Sequence, residues 1–207
     1  MPTANEFIFD ATDLASIQLA TNAAGEINWT APSIEGLKTH LKTHLRAVTN
    51  ELCAYCQRSF HGEFPMLIDI EHVLPKGNFP TLTFEPQNLS VACKRCNLFA
   101  KGRKWNFFNG RTITDALLHW EEGSNYQIIH PNLDVAEDHL TLFLVQRGKA
   151  RLLFYVKQPD SAKGAFTFDF FQLERLKISA IDAAQGIVVN ESQIEAEVNE
   201  IFERLNA

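Results

Sequence analysis

The chain has 207 residues, of which 45% are apolar and 21% charged, the balance of a folded globular protein and not of a disordered one. No stretch approaches the roughly 18 apolar residues that cross a bilayer. The opening residues hold neither a basic segment nor a long apolar run, so no secretory signal, no membrane association and a cytoplasmic location are expected. The net charge of −6 would by itself argue against a nucleic-acid partner.

Taken in order, residues 1–30 read as an irregular or weakly helical arm with scattered apolar positions. Pro32 and Ser33 then open a helix in which Ile34, Leu37, Leu41, Leu45 and Val48 recur at steps of three and four, ending near Asn50. Residues 66–73 predict a strand that Pro75 stops, and Gly77, Asn78 and Pro80 continue as loop. A second short strand is predicted over 89–92, and a helix starts around Cys96. Beyond Asp115, residues 140–146 and 151–157 flank Arg147-Gly148-Lys149-Ala150 as a β-hairpin. Residues 166–170 predict a third strand, followed by a helix through Leu173, Leu176 and Ile181. A last helix begins at Asn190, with Gln193 as capping-box partner and Ile194, Val198, Ile201 and Leu205 as its stripe. The chain thus divides into an arm and helix (1–50), a core (51–111) and an α+β extension (112–207) packed on that core.

The charge is not evenly spread. Residues 1–30 carry −4, residues 31–111 carry +5 and residues 112–207 carry −7. No acid occurs from 86 to 114, where Lys94, Arg95, Lys101, Arg103, Lys104 and Arg111 lie. Such a stretch suits a phosphate backbone, and equally a solvated helix face. The acidic remainder would confine DNA to one surface.

Four cysteines form two C-x2-C pairs, Cys53/Cys56 and Cys93/Cys96. Each pair turns two thiolates toward one ion, and two pairs complete the tetrahedral four-sulfur shell of structural Zn²⁺. In a reducing compartment this reading exceeds four free thiols or a redox pair, since redox chemistry would leave one pair unexplained. Zinc alone does not imply catalysis.

Between the pairs the chain reads Ile-Asp-Ile-Glu-His-Val-Leu-Pro-Lys (68–76), then Pro-Gln-Asn-Leu-Ser (86–90), and Asn97 follows Cys96 with Lys101-Gly102 beyond. This pattern resembles the HNH endonuclease family: an acid-His pair, a short stretch to Pro, an Asn-Leu, and C-x2-C-(His or Asn)-x3-Lys. The resemblance covers about residues 53–104. It implies an α+β fold with a ββα-metal core, treble-clef-like, holding the four-Cys zinc. It also implies that His72 is the general base, an imidazole being suited to proton transfer near neutral pH. Glu71 and Asn97 would bind one catalytic Mg²⁺ or Mn²⁺, and Asn88 would fix the loop and orient the base. Glu71 and Asn97 stand where many members have Asp and His; both are oxygen donors here, and a neutral amide implies modest metal affinity. Asp69 reads as a solvated or supporting carboxylate. Lys76, Lys94, Arg95, Lys101, Arg103 and Lys104 are the candidate phosphate contacts.

Cys-Ala-Tyr-Cys (53–56), Ile-Glu-His (70–72) with Pro75-Lys76 after it, the Leu-Thr-Phe-Glu-Pro-Gln-Asn-Leu run (82–89), and His130-Pro131 with Asp134 and His139 ahead of strands and a helix resemble the HNH subunits of Septu-type and retron-associated anti-phage systems, which pair with an ATPase. That resemblance implies a co-encoded ATPase partner, with the acidic C-terminal region as a candidate docking surface. The alternative is a zinc-stabilised nucleic-acid-binding or adaptor module whose nuclease site has decayed. Other residues are assigned less. His40 and His44 read as surface histidines, Trp105, Phe107 and Phe108 as core, and the His130-Pro131, Asp134 and His139 group has no catalytic mechanism attached.

Overall fold

The computed structural model describes residues 3–110, 112–147 and 150–179, with 196 and 200. The predicted helix from Asn190, and Ile181, lie outside the described residues.

The arm is more ordered than its sequence suggests. A ten-residue helix, α1 (Ala11–Ala20), is opened by a capping box in which Asp10 accepts from the Asp13 amide at 2.8 Å and Asp13 accepts from the Asp10 amide at 3.2 Å. Apolar periodicity could not reveal it, because Leu14 and Leu19 face solvent. The helix α2 (Glu35–Val48) starts one 3₁₀ turn after Pro32 and buries Leu37, Leu41 and Leu45. Each such leucine contributes about 1.5–3 kcal/mol of burial free energy.

The core is a two-stranded antiparallel sheet and a helix. Strand β1 (Ile68–His72) pairs with β2 (Leu89–Cys93), so that Glu71 lies opposite Ser90 and His72 opposite Leu89. A seven-residue helical segment, Arg95–Lys101, follows directly. Its turns are wide: the Gly102 amide closes on the Asn97 carbonyl five residues back at 2.7 Å. Gly102 has φ +56°, which its missing Cβ permits.

The extension begins with α3 (Ile113–His119), capped by Thr112. The hairpin is present as β3 (Leu140–Arg147) and β4 (Ala150–Lys157). Residues 166–170 are not a strand. They lie in α4 (Ala162–Phe170), where Ser161 caps the helix and Phe166 stacks on Phe170 at one-turn spacing, 5.7 Å between ring centroids. The alternating Phe-Thr-Phe-Asp-Phe pattern therefore serves a helix with several buried sides: Phe168 packs in the core, and the Thr167 hydroxyl accepts from the buried Ile129 amide at 2.8 Å. The helix expected through Leu173 and Leu176 is a single 3₁₀ turn, Leu173–Leu176, and the third strand is β5 (Ile178–Ser179), beside β4.

The extension packs directly on the first cysteine pair. Gln57 bonds both the Leu140 carbonyl and the Leu142 amide, each at 2.9 Å. The Tyr155 hydroxyl donates to the Cys56 carbonyl at 2.8 Å, and Tyr55 stacks on Phe171 at 4.1 Å. One hydrophobic core runs from the arm through the centre to α4. Among the described residues no helix is long and apolar enough to cross a membrane.

Candidate active site

The four cysteine sulfurs lie within 4.8 Å of one another, with Cys56 and Cys93 at 3.8 Å. A tetrahedron with bonds of about 2.3 Å has edges of about 3.8 Å, so the cluster fits Zn²⁺. Two backbone ties set it. The Ala54 amide bonds the Val91 carbonyl at 3.0 Å, and the Cys93 amide donates to Cys53 Sγ at 3.3 Å. Burial pushes the Cys53 thiol well above its ordinary range, so four thiolates need a cation between them.

His72 closes β1 and is buried, with Nε2 3.1 Å from the Thr83 carbonyl. A carbonyl only accepts, so Nε2 carries the hydrogen and Nδ1 keeps its lone pair. Burial, together with the Lys76 charge, pushes His72 down to about 3; the imidazole is neutral at pH 7 and a weaker proton acceptor than a free histidine. Trp29, from the arm, meets its ring edge-on at 4.7 Å.

Asn88 is fully buried. Its Oδ1 accepts from the Leu74 amide at 2.8 Å, and its Nδ2 donates to the Leu74 and Leu82 carbonyls, both at 3.1 Å. These bonds join Leu74 and Leu82, the two ends of the loop that leads to Thr83.

The acids sort differently from the expectation. Asn97 does not contact Glu71; its Nδ2 donates to Asp69 at 3.0 Å, and Lys94 pairs with the other Asp69 oxygen at 2.9 Å. Glu71 turns inward, 1% exposed, where Lys101 pairs with it at 2.8 Å and the Tyr55 hydroxyl donates to it at 2.9 Å. Burial pushes its carboxyl above the ordinary range, opposed by Lys101. The spacing explains the pairing. Asp69 and Glu71 are two residues apart on one strand face, roughly 6.6 Å, and Asn97 and Lys101 are one helical turn apart on the helix that faces it.

Lys101 is therefore no phosphate contact: it is 2% exposed and its ammonium also reaches the His72 carbonyl at 2.8 Å. Arg95 is likewise occupied, donating to the Gln172 carbonyl at 2.8 Å. Lys94, Arg103 and Lys104 are exposed, and Lys76 lies 5.5 Å from the Trp29 ring. A cleft of about 480 Å³ is lined by Trp29, Asp69, Ile70, Lys76, Lys94 and Asn97, together with residues of α2. Within it Asp69 accepts at both oxygens, from Lys94 and from the Asn97 side-chain nitrogen.

The remaining candidates have structural partners. Asp134 accepts from the His130 amide at 2.7 Å and pairs with Lys163. His139 Nδ1 lies 2.7 Å from the Ser161 hydroxyl that caps α4. His40 lies 3.1 Å from Asp13, and His44 faces the Thr3 carbonyl at 2.9 Å. Phe107 and Phe108 are buried, as expected. Trp29 and Tyr55 were invisible to sequence reasoning, because an isolated aromatic carries no signal of its partner.

Residues 53–101 match the family model described as HNH endonuclease. The chain thus contains an HNH-like endonuclease domain built around a four-cysteine cluster. Over 139 residues it is 27% identical to the Septu protein PtuB of Bacillus thuringiensis, an alignment that takes in 67% of this chain and 43% of that protein. The chain therefore spans less than half the length of this curated relative. No solved structure matches it.

Proposed function

We propose that this protein is a divalent-metal-dependent endonuclease that hydrolyses DNA phosphodiester bonds, with His72 as general base. The observation that supports this most is the tautomer set by Thr83: a buried, neutral imidazole held through Nε2, on the same strand face as the cleft-lining Ile70. Water attacks phosphorus and gives its proton to Nδ1 of His72. The bond to the 3′-oxygen breaks, that oxygen leaves as a hydroxyl with a proton from solvent, and a 5′-phosphate remains. Asn97 would hold Mg²⁺ or Mn²⁺ together with the carboxylate of Asp69 or, after its pair with Lys101 opens, Glu71. Such an ion supplies positive charge for the scissile phosphate and the departing oxygen. Lys76, Lys94, Arg103 and Lys104 are the proposed phosphate contacts.

Similarity to a Septu protein supports a role in anti-phage defence, with a co-encoded ATPase as partner and the acidic 112–207 region as its docking surface. One observation favours a second reading, a nucleic-acid-binding or adaptor module with a decayed site: Glu71 is sealed in the interior against Lys101.

Plasmid cleavage with Mg²⁺ or Mn²⁺ separates the two, with and without the ATPase, comparing the native protein with His72→Ala and an EDTA control. Cleavage lost in a His72→Ala protein of unchanged zinc content supports the nuclease. Absence of cleavage by the native protein in every arm supports the binding module.

A further inference from the structure

We propose that the polar face of α2 forms one wall of a groove that seats the phosphate backbone of duplex DNA, through Lys38 and Lys42 beside Arg46. This deepens the nuclease reading and rests on it. The family match begins at residue 53, so α2 lies outside the segment that the match covers.

Glu35, Lys38, Thr39, Lys42, Thr43 and Arg46 fall at i, i+3, i+4, i+7, i+8 and i+11, one face of the helix, and all six line the cleft that also holds Asp69 and Asn97. Leu37, Leu41 and Leu45 bury the other side. The cleft therefore gathers five cationic side chains, three of them from α2, against two carboxylates. The two threonines bond back to the carbonyls of Glu35 and Thr39 within α2. The charge of the face is left to its basic residues.

Internal partners only partly balance that charge. Lys38 pairs with Glu35 at 2.6 Å, and Arg46 with Glu51. Lys42 donates to the Pro65 carbonyl at 3.2 Å and, among the described residues, pairs with no acid. Burial pushes Lys42 below its ordinary value; Asp69 opposes this, and Lys94, Lys38 and Arg46 add to it. Crowded like charges beside a candidate phosphodiesterase site are relieved by a polyanion, and each Lys–phosphate contact releases counterions. The solvated-face alternative would turn these residues to open solvent, whereas they border a concave surface shared with the site.

The test is fluorescence anisotropy of a 20-base-pair labelled duplex without added divalent ion, titrated at several salt concentrations. The full chain is compared with Lys38→Gln/Lys42→Gln and with Lys157→Gln/Lys177→Gln on the C-terminal sheet side. Arg46 is kept because its bonds to Glu51 tie α2 to the first cysteine pair. The α2 variant is expected to bind at least tenfold more weakly, with a salt slope reduced by about 2 and zinc content unchanged; the control should keep the native slope. Equal binding and slope for the α2 variant and the native protein overturns the groove while the nuclease reading stands. An equal loss in both variants overturns it too, since the effect is then net charge. A native protein that binds no duplex overturns the groove and weakens the nuclease reading, which the cleavage assay judges separately.

Discussion

Asn97 donates its side-chain amide to Asp69 at 3.0 Å, and Glu71, two residues further along the same strand, is held instead by Lys101 at 2.8 Å. The two acids of one strand face thus have different tasks. Asp69→Asn is expected to weaken Mn²⁺ binding at least tenfold by calorimetry, with zinc content and melting temperature retained. Glu71→Gln should chiefly cost stability, about 3 kcal/mol, because it leaves the buried Lys101 charge unpaired. The reverse pattern would make Glu71 the ligand.

Removing both partners differs from removing one. In Glu71→Leu/Lys101→Met the two buried charges disappear together, so the double variant should be at least as stable as either single one in urea unfolding. Additive losses would show that the pair is not coupled.

Zinc should be structural. Cys93→Ser is expected to lower bound zinc well below one ion per chain by atomic emission, and to abolish cooperative unfolding, because the cluster joins the first pair to β2. Retained zinc with a native melting curve would contradict this.

Asn88→Ala removes the three hydrogen bonds of the loop clamp. A cost of about 3 kcal/mol follows from stranding buried backbone groups. Cleavage should fall as well, since the Thr83 carbonyl that orients His72 would shift. Native activity in a destabilised Asn88→Ala protein would separate the loop from the base.

Burial, with Lys163 nearby, pushes His130 down to about 3. Between that value and the ordinary 6.5 the unfolded chain binds the extra proton, so stability falls as the pH drops below 6.5 and is fully present above it. The slope approaches about 1.4 kcal/mol per pH unit for each such histidine. Urea unfolding from pH 7.5 to 5, with zinc in excess, should show this slope, and His130→Gln should remove its own share.

How much of this was legible beforehand follows from the range of each interaction. The two cysteine pairs, the acid-His pair, Asn88, Asn97 and the stripe of α2 declare themselves by spacing, because chelation, strand alternation and helical periodicity are local. The zinc cluster and the core order of strand, loop, strand and helix could therefore be read directly. The capping box of α1 was also local, in Asp10 and Asp13, but it was masked by the absence of an apolar stripe.

What only the tertiary structure decided was the partner of each charge and the final state of an ambiguous pattern. Residues 166–170 alternate like a strand, yet Ser161 caps them as a helix, and Gly164 lets that helix approach the His139 carbonyl where a Cβ would sit at 2.2 Å. Lys101 and Lys94 look alike in sequence. One is buried against Glu71 and the other exposed beside Asp69, because the wide turns of the helix bring Asn97 and Lys101 onto alternate positions of β1, Asp69 and Glu71. Spacing along the chain determined which residue types this protein has available for chemistry. Their division between interior and cleft was decided by packing, since desolvation and pairing depend on neighbours distant in sequence.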